Sequence, residues 1–163
     1  MPDLLAHAFI AYSIALLLSW RYDWISPAYA TVAMAGAFIP DLTKIKLVIS
    51  SGTVEQLLGI PFDWNALHTV GGATIAILIG VTVVAPREQR RTFALLSVGA
   101  LSHLFADGLL QNPSGHSYAM LWPLTQYHPP TPGLYLSTQA EPMIVAAIAA
   151  VVIHNLTKGR LQR

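Results

Sequence analysis

The stretch "LSHLFADGLL", Leu101 to Leu110, places His103 and Asp107 four residues apart within an otherwise apolar run. A side-chain period of 3.6 puts such a pair on one face of a helix, so the two can act together. An imidazole nitrogen beside a carboxylate oxygen suits zinc, with manganese or iron as alternatives, and three such ligands plus a water form the open arrangement of catalytic metals. His7, Asp41 and His68 are further donors of the same type. Five candidates serve one metal, or two metals with a bridging carboxylate. Each also has a plainer reading. His103 and Asp107 make a hydrogen-bonded pair between helices, His7 an interfacial histidine, His68 a helix cap, and Asp41 a turn residue after Pro40.

The surroundings make these residues costly. The chain has 163 residues, 54% hydrophobic and 10% charged, against roughly 25% charged in an ordinary soluble domain. Since a spanning helix takes roughly 20 apolar residues, this length holds about four to six spans and no sizeable extra domain. The expectation is an all-α, polytopic membrane helix bundle, residues 1–163 forming a single integral-membrane domain. An Asp inside the bilayer costs roughly 2.5 to 3.5 kcal/mol on insertion scales, so it is usually paired, metal-bound or facing water.

Five segments are expected to position the donors. Leu4 to Trp20 reads as a retained helix, because Asp3 stands where a signal peptide would be basic and no small-residue cleavage site follows. A second helix begins near Pro27 and runs through "AYATVAMAGAFI", ending before Pro40. Residues 50–65, "SSGTVEQLLGIPFDWN", form the first loop, with room for a short interfacial helix. His68 to Ala85 is the third span, where Gly71, Gly72 and Gly80 allow close helix approach. Thr92 to Leu110 is the fourth and Glu141 to Leu156 the fifth. Between them "QNPSGHSYAMLWPLTQYHPPTPG" reads as an irregular interfacial loop.

Five spans put the termini on opposite faces. Arg21, Arg87, Arg90, Arg91, Lys158, Arg160 and Arg163 fall on one face and only Lys44 and Lys46 on the other. The positive-inside rule makes the first face cytoplasmic, with the N-terminus outside and the C-terminus inside. On that map His7, Asp41, His68, His103 and Asp107 all land at the outward ends of their helices. Glu141 and the loop residues Asp63, His116 and His128 join them, whereas His154 sits at the cytoplasmic end. Up-and-down helices bring such ends together without further assumption. Asp63, His116 and Glu141 are the candidates for general acid or base, although a solvated loop residue or a helix start accounts for each as well. Lys44 and Lys46 bind a phosphate headgroup or simply snorkel to the interface.

Several chemistries are excluded or disfavoured. A net charge of +1 with nine scattered Lys and Arg offers no basic patch for nucleic acid. The absence of cysteine removes disulfides and thiolate metal sites. There is no H-E-x-x-H, G-x-S-x-G or P-loop pattern.

His7 in the first helix, "IPDLTK" at 39–44, "LHTV" at 67–70, "LSHLFADGLL" at 101–110 and "MLWP" at 120–123 resemble, in order, the landmarks of the YdjM-like family of membrane-bound metal-dependent hydrolases. The resemblance covers nearly the whole chain. Its more specific part is the H-x-x-x-D element followed by a Pro-containing loop and "LWP". It implies that His7, Asp41, His68, His103 and Asp107 form the metal site. Two departures stand out: Thr43 occupies the place of a second Asp often found in the family, and "DWNALHT" stands where the family often has H-R-G-x-T-H-S. Asp63 thus replaces a His and Asn65 a Gly, which favours a single-metal or Asp63-assisted site over a two-metal one.

The resulting expectation is a divalent-metal hydrolase of the cell membrane, acting at the outer leaflet on a lipid or lipid-linked ester, with a phosphoester preferred. A metal-ion or proton transporter using the same cluster is the alternative, disfavoured because the cytoplasmic half offers only His154 and isolated hydroxyls such as Ser13, Ser19 and Ser97. A third reading is a membrane partner whose polar cluster only fixes helix packing.

Overall fold

The computed structural model describes residues 2–161, with side chains described over 4–158. Arg163, counted on the basic face, lies outside the described residues. Six α-helices account for most of the chain: α1 (Pro2–Leu18), α2 (Pro27–Ala37), α3 (Ser51–Leu58), α4 (Val70–Thr82), α5 (Gln89–Asp107) and α6 (Glu141–Leu161). Three 3-10 segments punctuate them at Pro40–Leu47, Trp64–His68 and Pro86–Glu88. Among the described residues there is no strand, only isolated bridges joining Leu110 to Tyr135 and His116 to Pro130. The fold is all-α.

Local chemistry sets the helix ends. Ser26 caps α2 by accepting the Tyr29 N–H, and Pro27 fills the first helical position. Pro40 ends regular α-helix, and the chain tightens into the 3-10 segment that carries Asp41, Thr43, Lys44 and Lys46. α3 is the short helix expected within the first loop, bounded by the Ser50 cap and by Gly59 at φ +69°, and it buries none of its side chains. α4 starts two residues after His68, because Thr69 adopts an extended backbone and turns its hydroxyl to the Gly72 N–H. The exposed donors ahead of that cap are taken up from elsewhere: the Val70 N–H bonds the Met120 carbonyl at 2.8 Å, and the Gly71 N–H bonds that of Trp122 at 2.9 Å. "MLWP" is therefore the lid on the start of α4, its Trp122–Pro123 peptide cis.

Consecutive long helices alternate in direction. Arg91, at the start of α5, stacks over Trp24, just before α2, and Tyr29 at its start, whereas His103 near the end of α5 meets Ala37 at the end of α2. α1 and α6 run together, joined by Tyr12 to His154 at 2.8 Å and by Trp20 to Thr157 at 3.0 Å. α1, α2 and α5 pack mutually, α4 lies against α5, and α6 lies against α1.

α2 and α5 meet backbone to backbone at two glycines. A Cβ added to Gly99 would overlap the Ala33 carbonyl oxygen, and one added to Gly36 would overlap that of Leu96. Gly71 and Gly72 were expected to let another helix approach; they are closely covered instead by the Trp122–Pro123 loop and by Ala66 of the 3-10 turn before α4. Gly80 does not: nothing lies within 4 Å of the place its Cβ would take. The buried set is dominated by alanine, among them Ala11, Ala15, Ala30, Ala33, Ala37 and Ala100, with Leu16 and Leu95 as the large side chains. Large apolar side chains such as Ile79, Val83, Phe105, Val145 and Ile148 point outward.

Among the described residues, one of the five expected spans is long and apolar enough by itself to cross a membrane, Glu141–Lys158 within α6; Leu4–Leu18 and Val70–Thr82 are shorter apolar helices.

Candidate metal centre

His103 leaves α5 at the level where Gly36 and Gly99 let the two backbones touch. That proximity allows its Nδ1 to reach the Ala37 carbonyl at 2.7 Å. A carbonyl oxygen only accepts, so Nδ1 carries a proton and, in the neutral ring, Nε2 keeps its lone pair. One turn on, Asp107 shares the same buried face. Its Oδ1 lies 3.1 Å from His7 Nε2, and its Oδ2 lies 3.0 Å from His68 Nε2 and 3.4 Å from His103 Nε2. The Tyr118 hydroxyl donates to Oδ2 at 2.8 Å. His7 stacks on His103 with ring centroids 3.9 Å apart, and the Nε2 atoms of His68 and His103 are 3.1 Å apart.

The side chains of His7 and His103 are 1% exposed and that of Asp107 8%. At such depth water cannot repair a mismatch of donors and acceptors. With its proton on Nδ1, His103 turns a lone pair toward the lone pairs of Asp107 Oδ2. That contact is relieved by a proton on His68 Nε2, 3.1 Å from His103 Nε2 and 3.0 Å from Asp107 Oδ2, by a second proton on His103, or by a bound cation. The spacing suits the cation. Donors held at about 2.0–2.1 Å around a tetrahedral ion lie about 3.3 Å from each other, and the separations here run from 3.0 to 3.4 Å. The group can hold a divalent metal.

All five expected ligands enter this arrangement, in two overlapping groups: His7, His103 and Asp107, and Asp41, His68 and His103. His103 belongs to both but has a single lone pair aimed inward, so it serves one ion. Asp41 is also tied to Lys44, 2.5 Å away.

The three expected acid–base residues lie elsewhere. Asp63 is exposed and spends Oδ1 on the Asn65 N–H, as the cap of the 3-10 turn that carries His68. His116 is exposed and bonds the Ser114 carbonyl at 3.0 Å. Glu141 opens α6 beside Leu134 and Gln139, lining a different cavity. None of them belongs to either donor group or lines the cavity at the cluster.

That cavity, of about 440 Å³, is lined by His68, Asp107 and Tyr118 together with Thr43, Lys46 and Asn65. Sequence spacing missed three of these partners. Tyr118 sits in an irregular loop eleven residues past Asp107, steadied nearby by His128 Nδ1 on the Ser117 carbonyl. Asn65 and Thr43 carry no charge that a pattern would flag. His154 lies apart, in a second cavity of about 390 Å³ with Phe9, Tyr12 and Met34.

Comparison with protein-family models, with curated proteins and with solved structures finds no match to this chain.

Proposed function

We propose that this chain is an integral-membrane, metal-dependent hydrolase of the YdjM-like kind, acting at the outer leaflet on a lipid or lipid-linked ester, with a phosphoester preferred. The observation that carries the reading is the inward-facing lone pair of His103 beside Asp107, among donors spaced for one small cation. Zinc suits the nitrogen-rich set best.

The inverted distribution of side chains supports a membrane setting. Small residues and buried His and Asp occupy the interior while Ile, Val and Phe face out, the pattern of helices packed in lipid. α1, α2, α4, α5 and α6 serve as the five spans, with the N-terminus outside. α2 and α4, 11 and 13 residues long, reach only about 16 and 20 Å at 1.5 Å per residue, against a hydrocarbon core of about 30 Å. The cluster at their outer ends then lies below the headgroup surface, near the depth of a phospholipid ester.

A bound metal supplies Lewis acidity and lowers the pKa of its water toward about 7. The residues around it have separable tasks. Ala37 fixes the tautomer of His103, Tyr118 orients Asp107, and Lys44 holds Asp41 beside His68 and His103. The cavity admits the ester while Met120 to Trp122 close the start of α4. A transport path lacks support on the other half: the Ser13 and Ser19 hydroxyls donate to carbonyls of their own helix turn.

Elemental analysis of detergent-purified protein tests the reading, run beside His103→Ala and Asp107→Ala. The wild type is expected to hold about one divalent metal per chain, the variants little, and chelation to stop hydrolysis of lipid phosphoesters in mixed micelles. Full metal retention in both variants would falsify the ligand assignment. Metal flux in proteoliposomes without ester turnover would replace the hydrolase with a transporter.

A further inference from the structure

Two lysines stand two residues apart in the Pro40–Leu47 segment, and their surroundings give them different work. Lys44 is neutralised by Asp41 at 2.5 Å. Lys46 has no carboxylate partner among the described residues; its ammonium donates to Asn65 Oδ1 at 2.8 Å. Lys46 and Asn65 both line the cavity whose wall also contains His68 and Asp107.

We infer that Lys46 and Asn65, with Thr43 beside them, form an anion subsite that takes a phosphate group of the substrate next to the metal centre. The donor inventory singles them out. Thr69 also lines the cavity, but its hydroxyl donates to the Ala66 carbonyl and accepts the Gly72 N–H. Tyr118 has given its proton to Asp107. Asn65 accepts from Lys46 through Oδ1, which leaves both N–H bonds of its amide for a ligand, and the ammonium retains two of its three protons. Thr43 adds a hydroxyl from a largely buried position. An unneutralised cation and an oriented amide attract an anion, because the one carboxylate of the wall, Asp107, is already engaged by His7, His68, His103 and Tyr118; a neutral carboxylic ester has nothing there to answer the charge.

The inference rests on the proposed hydrolase for its adjacency to a reaction, but it concerns binding and is tested by binding. Titration calorimetry in detergent micelles measures inorganic phosphate, and separately phosphatidic acid in mixed micelles, against wild type, Lys46→Met and Lys46→Arg. Loss of a charged hydrogen bond should weaken binding by about tenfold to a hundredfold in Lys46→Met, while Lys46→Arg should stay within about threefold. Metal content, read by elemental analysis, should be equal in all three, which separates the subsite from the metal ligands and reports that each variant is folded. Phosphatidic acid bound far more tightly than inorganic phosphate identifies a lipid headgroup as the source; equal affinities identify the free anion or a soluble phosphoester. Equal affinity of Lys46→Met and wild type, or no binding of either probe to the wild type, overturns the subsite. Phosphate bound through Lys46 without turnover of any ester defeats the hydrolase and leaves the subsite standing. Turnover of a neutral carboxylic ester alone, unchanged in Lys46→Met, does the reverse.

Discussion

At the level of single residues, the centre depends on groups that hold its donors in place. Tyr118 donates to the Asp107 oxygen that faces His68 and His103. Removing that hydroxyl in Tyr118→Phe should leave one metal per chain at saturation yet weaken metal affinity by about tenfold to a hundredfold, the usual cost of losing a ligand's supporting hydrogen bond; competition with a chelator of known affinity reads the change. Asp107→Asn keeps the shape but removes the charge shared by His7, His68 and His103, so stoichiometric metal should be lost. The five donors were legible in the sequence because ionisable groups in an apolar chain are rare and alternation of helices put them at one end. Tyr118, Asn65 and the Ala37 carbonyl were not, since they reach the site through irregular loops and backbone that no spacing encodes. Asp63, His116 and Glu141 carried the right chemistry at the expected end, but a cap, a turn and a helix start absorb them.

Among the helices, the controlling feature is the contact of α2 with α5. Gly99 allows it, and a methyl group there would meet the Ala33 carbonyl. Gly99→Ala should therefore push the helices apart, lengthen the bond from His103 to Ala37, and destabilise the fold by about 1–3 kcal/mol, with metal lost alongside. Gly80→Ala is the matched comparison: with open space around it, thermal unfolding should be unchanged or slightly raised. Equal effects of the two substitutions would refute backbone contact as the device that sets the site. Apolar runs and Pro27, Pro40 and Pro86 made the helix order readable. The close-packed pair was harder to find, because Gly36 and Gly99 lie among alanines of similar hydropathy and only the crossing point distinguishes them from Gly80. The start of α4 moved past His68 because Thr69 is the better cap.

On the scale of the whole molecule, the proposed orientation makes a prediction that the cysteine-free chain is suited to test. Single cysteines at Ser114, in the loop beyond Asp107, and at Arg90, at the start of α5, sit at opposite ends of that helix. In intact cells a membrane-impermeant maleimide should label the first, and the second only after permeabilisation. The reverse pattern would turn the centre toward the cytoplasm. Composition made the all-helical architecture legible, but not the lengths of the helices, since α2 and α4 stop after 11 and 13 residues.

The bonds from the Val70 and Gly71 amides to Met120 and Trp122 also constrain which parts of this end of the molecule can open. Swinging that loop aside would strand two backbone donors at the start of α4, whereas α3 buries no side chain and is held to the next segment by the bonds of Glu55 to Phe62 and Ser51 to Trp64. Deuterium uptake should thus be fast across residues 51–58 and slow at 70 and 71.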